Sequence, residues 1–137
     1  MIRVTSCTFI KTMNGARIKT WQGGSGYARD IKFEDIYFDS VDNPIVIDQY
    51  YCNGVHNCGT QKSAVKVSDV TFKGLRGTST QEVAINLACS ETVRCTNITL
   101  ENIQAKHVRR EKATISYCIN ANGISHRTVS PPIPCLS

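Results

Sequence analysis

Residues 67–77, VSDVTFKGLRG, decide the fold, because close copies of this phrase return along the chain. The other copies are VTSCTFIKT at 4–12, ARDIKFEDIYF at 28–38 and CTNITLENIQA at 95–105. Each copy alternates apolar and polar residues, and this period of two is the pattern of a half-buried β-strand. The sequence is therefore organised as an internal repeat built on strands.

An alignment of the copies predicts which side chains stack on one another. When the copies are aligned on one apolar position, each carries a second apolar residue two positions later. The aligned positions are Cys7, Ile31, Val70 and Ile98, and those that follow are Phe9, Phe33, Phe72 and Leu100. The last three copies add a third apolar residue, at Ile36, Leu75 and Ile103. We expect these sets to form ladders of like side chains in the core.

A second strand candidate follows each of the first three copies after a short turn. These candidates are ARIKTW at 16–21, PIVIDQYY at 44–51 and VAINLAC at 83–89. The aligned positions are 24, 39 and 28 residues apart. Repeats of this length, with short strands and no helical period, are typical of a stacked solenoid. The sequence therefore predicts an all-β parallel β-helix. An unrelated β-sandwich also has many short strands separated by turn residues, and it is the alternative.

The two ends of the chain differ in character. A strand-like phrase begins within two residues of Met1, with no polar segment to cover a first coil. Residues 127–137, RTVSPPIPCLS, contain three prolines and a cysteine, which predicts a non-strand segment tied back by a disulfide. The first ten residues do not resemble a secretory signal, and no segment approaches membrane-spanning length. We expect the chain to be the C-terminal part of a longer protein.

The cysteine content favours an oxidising compartment, since seven cysteines in 137 residues are many for a reduced protein. Zinc is the rival explanation, but the sequence has no CxxC pair and its three histidines are scattered. Pairing between near neighbours is one hypothesis among many possible connectivities, and it leaves Cys7 without a partner. The local pairs are Cys52 with Cys58, Cys89 with Cys95, and Cys118 with Cys135.

The formal net charge of +5 favours a polyanionic partner, such as nucleic acid, an anionic lipid surface or an acidic polysaccharide. An ordinary solvated surface explains the same excess. A nucleic-acid-binding module is disfavoured, because the only clustered basic tract is RREK at 109–112. His107, in AKHVRREK, is assigned to this basic surface stretch.

Two cations in NGARIKTWQGGSG, at 14–26, form the candidate binding site. Arg17 and Lys19 are two residues apart on a predicted strand, so they share one face while Ile18 points into the core. Arg offers a planar fork of donors and Lys a compact charge, which together suit a carboxylate. The alternative for both is a solvated strand face. Trp21 is either an aromatic platform for a sugar or a packing residue between coils.

This stretch, followed by NPIVIDQYYC at 43–52, NLACS at 86–90 and a cysteine-bearing tail, resembles the C-terminal portion of plant polygalacturonases. These pectin-degrading enzymes form glycoside hydrolase family 28, and the resemblance covers essentially the whole chain. It implies a right-handed, single-stranded parallel β-helix of about four coils plus a disulfide-tied C-terminal tail. The implied activity is hydrolysis of α-1,4-galacturonosyl linkages in pectin.

The resemblance also implies a setting for the protein. By this resemblance, the full-length protein is expected to be secreted to the cell wall, to act on polygalacturonate as a monomer, to need no cofactor or metal, and to have no nucleic-acid or membrane partner. Whether the enzyme attacks chains internally or from an end stays open. The sequon NIT at 97–99 makes Asn97 a candidate glycosylation site in a secreted protein.

Site residues follow from the resemblance position by position. Arg17 and Lys19 match the basic pair that binds the carboxylate of a galacturonate unit near the cleavage point. Tyr51 matches a tyrosine that lines the same cleft, whereas its neighbour Tyr50 is expected to point the other way. Asp48 matches no catalytic position. The bridges Cys89 with Cys95 and Cys118 with Cys135 match those usual in the family.

The sequence departs from the family pattern at the catalytic groups. Glycoside hydrolysis needs one carboxylic acid and one carboxylate, which the family supplies from an NTD motif and an adjacent Asp pair, with a GHG histidine nearby. None of these motifs occurs in the chain. Residues 1–137 are therefore interpreted as the C-terminal part of the hydrolase domain, inactive alone. A short protein that binds pectin without cutting it is the alternative.

Overall fold

Strands account for the architecture of the chain. The computed structural model describes residues 1–20, 25–50 and 64–137, so Trp21, Tyr51, Cys52 and Cys58 lie outside the described residues. No helix among the described residues is long and apolar enough to cross a membrane. The strands are β1 (Ile2–Ile10), β2 (Asn14–Lys19), β3 (Tyr27–Val41), β4 (Asn43–Asp48), β5 (Lys66–Ser79), β6 (Val83–Ala88), β7 (Cys95–His107), β8 (Ile115–Ile119) and β9 (Ala121–Ser130).

The strands alternate between two parallel sheets. Sheet A has the order β1-β3-β5-β7-β9, and sheet B has the order β2-β4-β6-β8. Each coil contributes one long strand to sheet A and one short strand to sheet B, and the next coil pairs beside it. The predicted all-β parallel solenoid of about four coils is thereby confirmed. The β-sandwich alternative is wrong, because its strands would pair antiparallel.

The core ladders predicted from the last three copies of the repeat are confirmed. Phe33 pairs with Phe72 and Phe72 with Leu100. The two phenylalanine rings stack with centroids 5.2 Å apart and planes 5° apart. The other two predicted sets pair in the same way, as Ile31–Val70–Ile98 and Ile36–Leu75–Ile103, and all six are buried.

The alignment of the first copy is wrong. Cys7 pairs with Ile36 rather than Ile31, and Phe9 pairs with Phe38 rather than Phe33. Both the predicted and the observed register pair apolar residues with apolar residues, because the first copy contains Val4, Cys7 and Phe9. The bend in the strand selects the observed register, since it requires corner residues to lie side by side.

Those corners are made by single residues in the left-handed backbone region. Asp30, Asp69 and Asn97 occupy one corner of successive coils, with φ between 54° and 56°. A second corner has the same geometry at Ser6, Asp35, Gly74 and Asn102. Gly, Asn and Asp tolerate this region better than other residues. Each one turns the chain sharply while the residues on either side stay in the parallel ladder.

The C-terminal segment covers the last coil. Ile133 and Leu136 are buried against the core, and the disulfide between Cys118 and Cys135 ties the segment to β8. No strand follows Ser130 among the described residues, so the disulfide-tied tail is confirmed from residue 131 onward. Its first four residues, RTVS, were wrongly included, because they continue β9.

We expect Gly77→Ala to destabilise the fold strongly. The φ of Gly77 is +146°, and an added Cβ would lie 1.9 Å from the carbonyl oxygen of Phe38 on the neighbouring coil. Backbone strain and overpacking each cost about 1 to 3 kcal/mol, so urea unfolding should report a loss of about 3 kcal/mol. Gly26→Ala is the matched control, because its φ is +90° but its Cβ position is open. Equal losses for both variants would contradict the role of the coil-to-coil contact.

Candidate functional site

The candidate site lies on the outer face of sheet B. Along β2, Ala16 and Ile18 are buried in the core, whereas Arg17 is half-buried and Lys19 is exposed. Alternation along a strand therefore places the two cations on the side away from the core. The structure brings Arg17 and Lys19 together on one face, as the sequence spacing predicts.

The parallel register extends this face across the later coils. Arg17 lies beside Val46 of β4, followed by Asn86 of β6 and Tyr117 of β8. Neighbouring strands are about 4.8 Å apart, so this row spans roughly 14 Å. Sequence reasoning did not single out Asn86 or Tyr117. Each is the polar residue between two inward residues of a short strand, but only the pairing register aligns them with Arg17.

Asn86 and Tyr117 also line an open cavity, here called the sheet B groove. Its volume is 770 Å³, and its other walls include Asn43, Glu82 and His107. The Oδ1 atom of Asn86 is buried and has no hydrogen-bond partner within the described parts of the chain. A buried carbonyl oxygen without a donor is costly.

Asp48 has a structural task beside the cations. Its Oδ1 accepts a hydrogen bond from the backbone N–H of Tyr50 at 3.0 Å, which closes a turn at the end of β4. In the neighbouring strand Lys19 lies at the same register position, so a cation and a carboxylate are adjacent on the face.

A buried amide joins the coils at the corner that follows sheet B. Gln49 is fully buried, and its Nε2 donates to the carbonyl of Val65 at 2.7 Å and to Oγ1 of Thr20 at 3.2 Å. Its Oε1 accepts the backbone N–H of Ser90 at 3.1 Å. One side chain therefore links three consecutive coils behind the outer face that carries the cations.

Tyr50 is engaged in the same corner. Its hydroxyl donates to the carbonyl of Cys89 at 3.2 Å, and this carbonyl also accepts from Nδ2 of Asn120. Tyr51, the predicted cleft residue, lies outside the described residues, so its role stays a prediction.

The structure contains both disulfides that the resemblance implied, Cys89 with Cys95 and Cys118 with Cys135. The pair of Cys52 and Cys58 lies outside the described residues. Cys7 is a free thiol, as the local pairing hypothesis requires. Described residues hold no cluster of His, Cys, Asp and Glu arranged to bind a metal.

Two further sequence assignments can be placed. Asn97 of the sequon is exposed at a corner of β7, and its Nδ2 donates to the carboxylate of Asp69. Its glycosylation stays a prediction. His107 was assigned to a basic surface stretch, but this is wrong, because it is the last residue of β7 and is buried. Its Nδ1 accepts the backbone N–H of Arg109 at 2.9 Å.

Comparisons with known proteins agree on one family. The sequence profile of glycosyl hydrolases family 28 matches residues 1–128. A polygalacturonase of Juniperus ashei is 45% identical over 127 residues, and one of Gossypium hirsutum is 44% identical over 135 residues. These alignments cover 93% and 98% of the chain. The chain spans 24% and 33%, respectively, of the lengths of these two curated relatives.

We expect Gln49→Leu to destabilise the protein by about 2 to 4 kcal/mol, because each buried group left without a partner costs roughly 1 to 3 kcal/mol. Leucine fills a similar volume but offers no hydrogen bond to Val65, Thr20 or Ser90. The measurement is urea unfolding. Gln104→Leu is the control, because Gln104 is exposed on β7. A loss no larger than that of the control would show that the corner does not depend on this amide.

Proposed function

The chain belongs to glycosyl hydrolases family 28, and from this premise we propose that it forms the substrate-carboxylate-binding part of a polygalacturonase. The reaction of the whole enzyme is hydrolysis of α-1,4-galacturonosyl linkages in pectin or polygalacturonate. The observation that carries the proposal is the placement of Arg17 and Lys19 together on the outer face of sheet B. Curated relatives of this chain are named polygalacturonases.

The chemistry of the two cations supports a uronate ligand. Polygalacturonate carries one carboxylate on each sugar, so a site that holds one carboxylate fixes both the affinity and the register of the polymer. Arg17 supplies a planar fork of N–H donors, and Lys19 adds a compact positive charge. A hydrogen bond to a charged group contributes about 1.5 to 3 kcal/mol when it is partly shielded from water. The half-buried position of Arg17 favours such shielding.

The sheet B groove supports the extension of the polymer beyond this carboxylate. Asn86 and Tyr117 lie in the same row as Arg17, one strand after another across the sheet. A pyranose unit is about as long as the spacing between strands, roughly 4.8 Å. A polymer that runs across the strands therefore meets a new coil with each sugar. The half-exposed ring of Tyr117 suits the face of a sugar.

The bond-breaking groups are proposed to lie on other coils. Hydrolysis requires one carboxylic acid to protonate the leaving oxygen and one carboxylate to assist the attack of water. The family motifs that provide these groups do not occur in the chain. We therefore assign residues 1–137 to the C-terminal part of the hydrolase domain. The exposed residues of β1 and the half-covered Val4 and Phe9 offer an edge on which a further coil can stack.

The proposed location is the cell wall, outside the cell. The disulfide between Cys89 and Cys95 and that between Cys118 and Cys135 support an oxidising compartment. The disulfides fix one corner of the solenoid and its C-terminal end, which suits a protein exposed to an extracellular medium.

A non-catalytic pectin-binding protein is the second candidate, because the chain lacks the family's acid and base motifs. Both candidates bind oligogalacturonides through Arg17 and Lys19. Only the polygalacturonase candidate makes the chain part of a hydrolase. The two candidates therefore predict different hydrolytic activity when the catalytic coils are supplied by another protein.

We expect the double variant Arg17→Ala, Lys19→Ala to weaken the binding of short oligogalacturonates by about tenfold to a hundredfold. This corresponds to the loss of one or two charge-assisted hydrogen bonds, at about 1.4 kcal/mol for each factor of ten. Isothermal titration calorimetry measures the affinity. The double variant Lys32→Ala, Lys73→Ala removes two cations from sheet A and should change the affinity less than twofold. Equal weakening by both double variants would rule out a specific carboxylate site.

We expect no release of reducing ends from polygalacturonate by the 137-residue chain alone. A chimera should restore hydrolysis, with this chain in place of the matching segment of the Gossypium hirsutum polygalacturonase. Arg17→Ala in the chimera should lower kcat/KM. A reducing-sugar assay makes both measurements. A folded chimera without activity would favour the non-catalytic candidate, and activity of the chain alone would contradict the assignment of the catalytic groups to other coils.

A further inference from the structure

A second cavity, here called the basic groove, lies beside the loop that joins β7 to β8. Its volume is 790 Å³, and the segment after β9 forms part of its wall. No Asp or Glu lines it among the residues that the structure describes. The lining residues that matter here are Lys106, Arg110, Lys112, Pro131 and Pro132. The cavity therefore combines a positive rim with the carbon surface of two prolines.

The three cations of the basic groove, of which Lys106 lies at the end of β7, differ in their partners from Arg3, Lys32 and Lys73 on the outer face of sheet A. On sheet A, Arg3 and Lys32 approach the carboxylate of Glu34 at 3.0 Å and 3.6 Å, and Lys73 approaches that of Glu101 at 3.5 Å. Across the described ranges, none of the three basic-groove cations forms an ion pair with a carboxylate. Their positive charge is therefore available to an external anion.

The loop that carries Arg110 and Lys112 is held at both ends. The backbone N–H of Val108 donates to the carbonyl of Ser79 at 2.9 Å, and Oγ1 of Thr114 donates to the carbonyl of Ala105 at 2.7 Å. These bonds tie the loop to β5 and β7. Binding of a ligand therefore does not require ordering of the whole loop, which lowers the entropic cost of association.

The basic groove adjoins the proposed substrate surface. His107 and Lys112 line both the basic groove and the sheet B groove, so the two cavities meet at these residues. The sheet B groove in turn contains Tyr117, which lies three strands from Arg17, roughly 14 Å away. The two cavities thus form one surface from the three cations of the basic groove to Asn86 and Tyr117, and the row across sheet B continues from Asn86 past the buried Val46 to Arg17.

We propose that the basic groove is a second anchoring site for a long polyuronate chain, which passes from Arg17 and Lys19 through the sheet B groove into it. The inference rests on the proposed function, from which it takes the class of its ligand. The carboxylates of the distal sugars meet the unpaired cations, and the prolines contact the apolar faces of the rings. Short oligomers bound at Arg17 and Lys19 do not reach the basic groove. The groove therefore increases the affinity of the protein for a long polyuronate but not for digalacturonate.

The test is the triple variant Lys106→Ala, Arg110→Ala, Lys112→Ala of the 137-residue chain. Its matched control is Arg3→Ala, Lys32→Ala, Lys73→Ala, which removes the same residue types and the same net charge from sheet A. Calorimetric titrations with digalacturonate and with a long oligogalacturonate compare both variants with the unmodified chain. Circular dichroism and thermal unfolding establish that each variant is folded.

We expect the triple variant to weaken binding of the long oligomer at least about tenfold at low salt, and the control to weaken it less than twofold. Binding of digalacturonate should be unchanged in the triple variant. The slope of log Kd against log salt should fall by roughly two, since each neutralised charge on a flexible polyanion contributes about 0.7. In the unmodified chain, the long oligomer should shift amide NMR signals of residues 105–114, and digalacturonate should not.

Several outcomes would overturn the inference. Equal losses of affinity for the long oligomer in the triple variant and the control would show that the groove contributes only through the overall charge of the protein. Single-stranded DNA of matched length that binds the groove as tightly as the uronate would reject the ligand class. If the Arg17, Lys19 double variant abolishes binding and the triple variant binds the long oligomer as tightly as the unmodified chain, the proposed function stands without the groove. If that double variant binds the long oligomer normally, the proposed function fails and the continuous path fails with it.

Discussion

The in-register stacking of parallel coils is the constraint on which the rest of the structure depends. Each coil must turn at the same positions as the coil below, and it does so with single left-handed residues such as Asp30 and Asp69. Stacking then forces like side chains together, as in the Phe33 and Phe72 pair. It also brings backbones very close at points such as Gly123, where a Cβ would lie 1.8 Å from the carbonyl oxygen of Ile98. The sequence repeat is the consequence of this geometry.

The same constraint distributes charge over the surface. On sheet A, acidic and basic residues fall side by side in the register, and Glu34 and Glu101 each face more than one cation. Such exposed pairs add little stability, but they neutralise part of the positive charge of that face. Arg110 and Lys112, in the loop after β7, form no ion pair with a carboxylate in the described chain, although Glu111 lies between them in sequence and Glu82 lines the sheet B groove together with Lys112. Surface regions of the solenoid therefore differ in how far their charges are paired, which the net charge of +5 alone does not reveal.

The sequence predicted the solenoid and its inner ladders, because alternation and repetition record the stacking directly. The alignment of the first copy was wrong, because apolar residues face apolar residues in both the predicted and the observed register. Only the left-handed Ser6, which must lie beside the left-handed Asp35, distinguishes the two registers. The sequence does contain a marker of the two corners, because each later copy has Asp, Asn or Gly at two positions five residues apart. For the site, Arg17 and Lys19 could be placed from their spacing. Asn86 could not, since its position beside the cations depends on pairing between strands far apart in sequence.

A solenoid also separates binding from chemistry in a way that a globular domain does not. Each coil adds one strand to the outer face, so a polymer lying across the strands is bound by contributions from successive coils. Under the proposed function, Arg17 on β2 and Tyr117 on β8 contribute in this way, since each belongs to a different coil of the same row. Affinity can therefore extend along the stack in small increments. Hydrolysis instead requires two carboxylates at one linkage, so the segment proposed to bind the polymer depends on neighbouring coils to cut it.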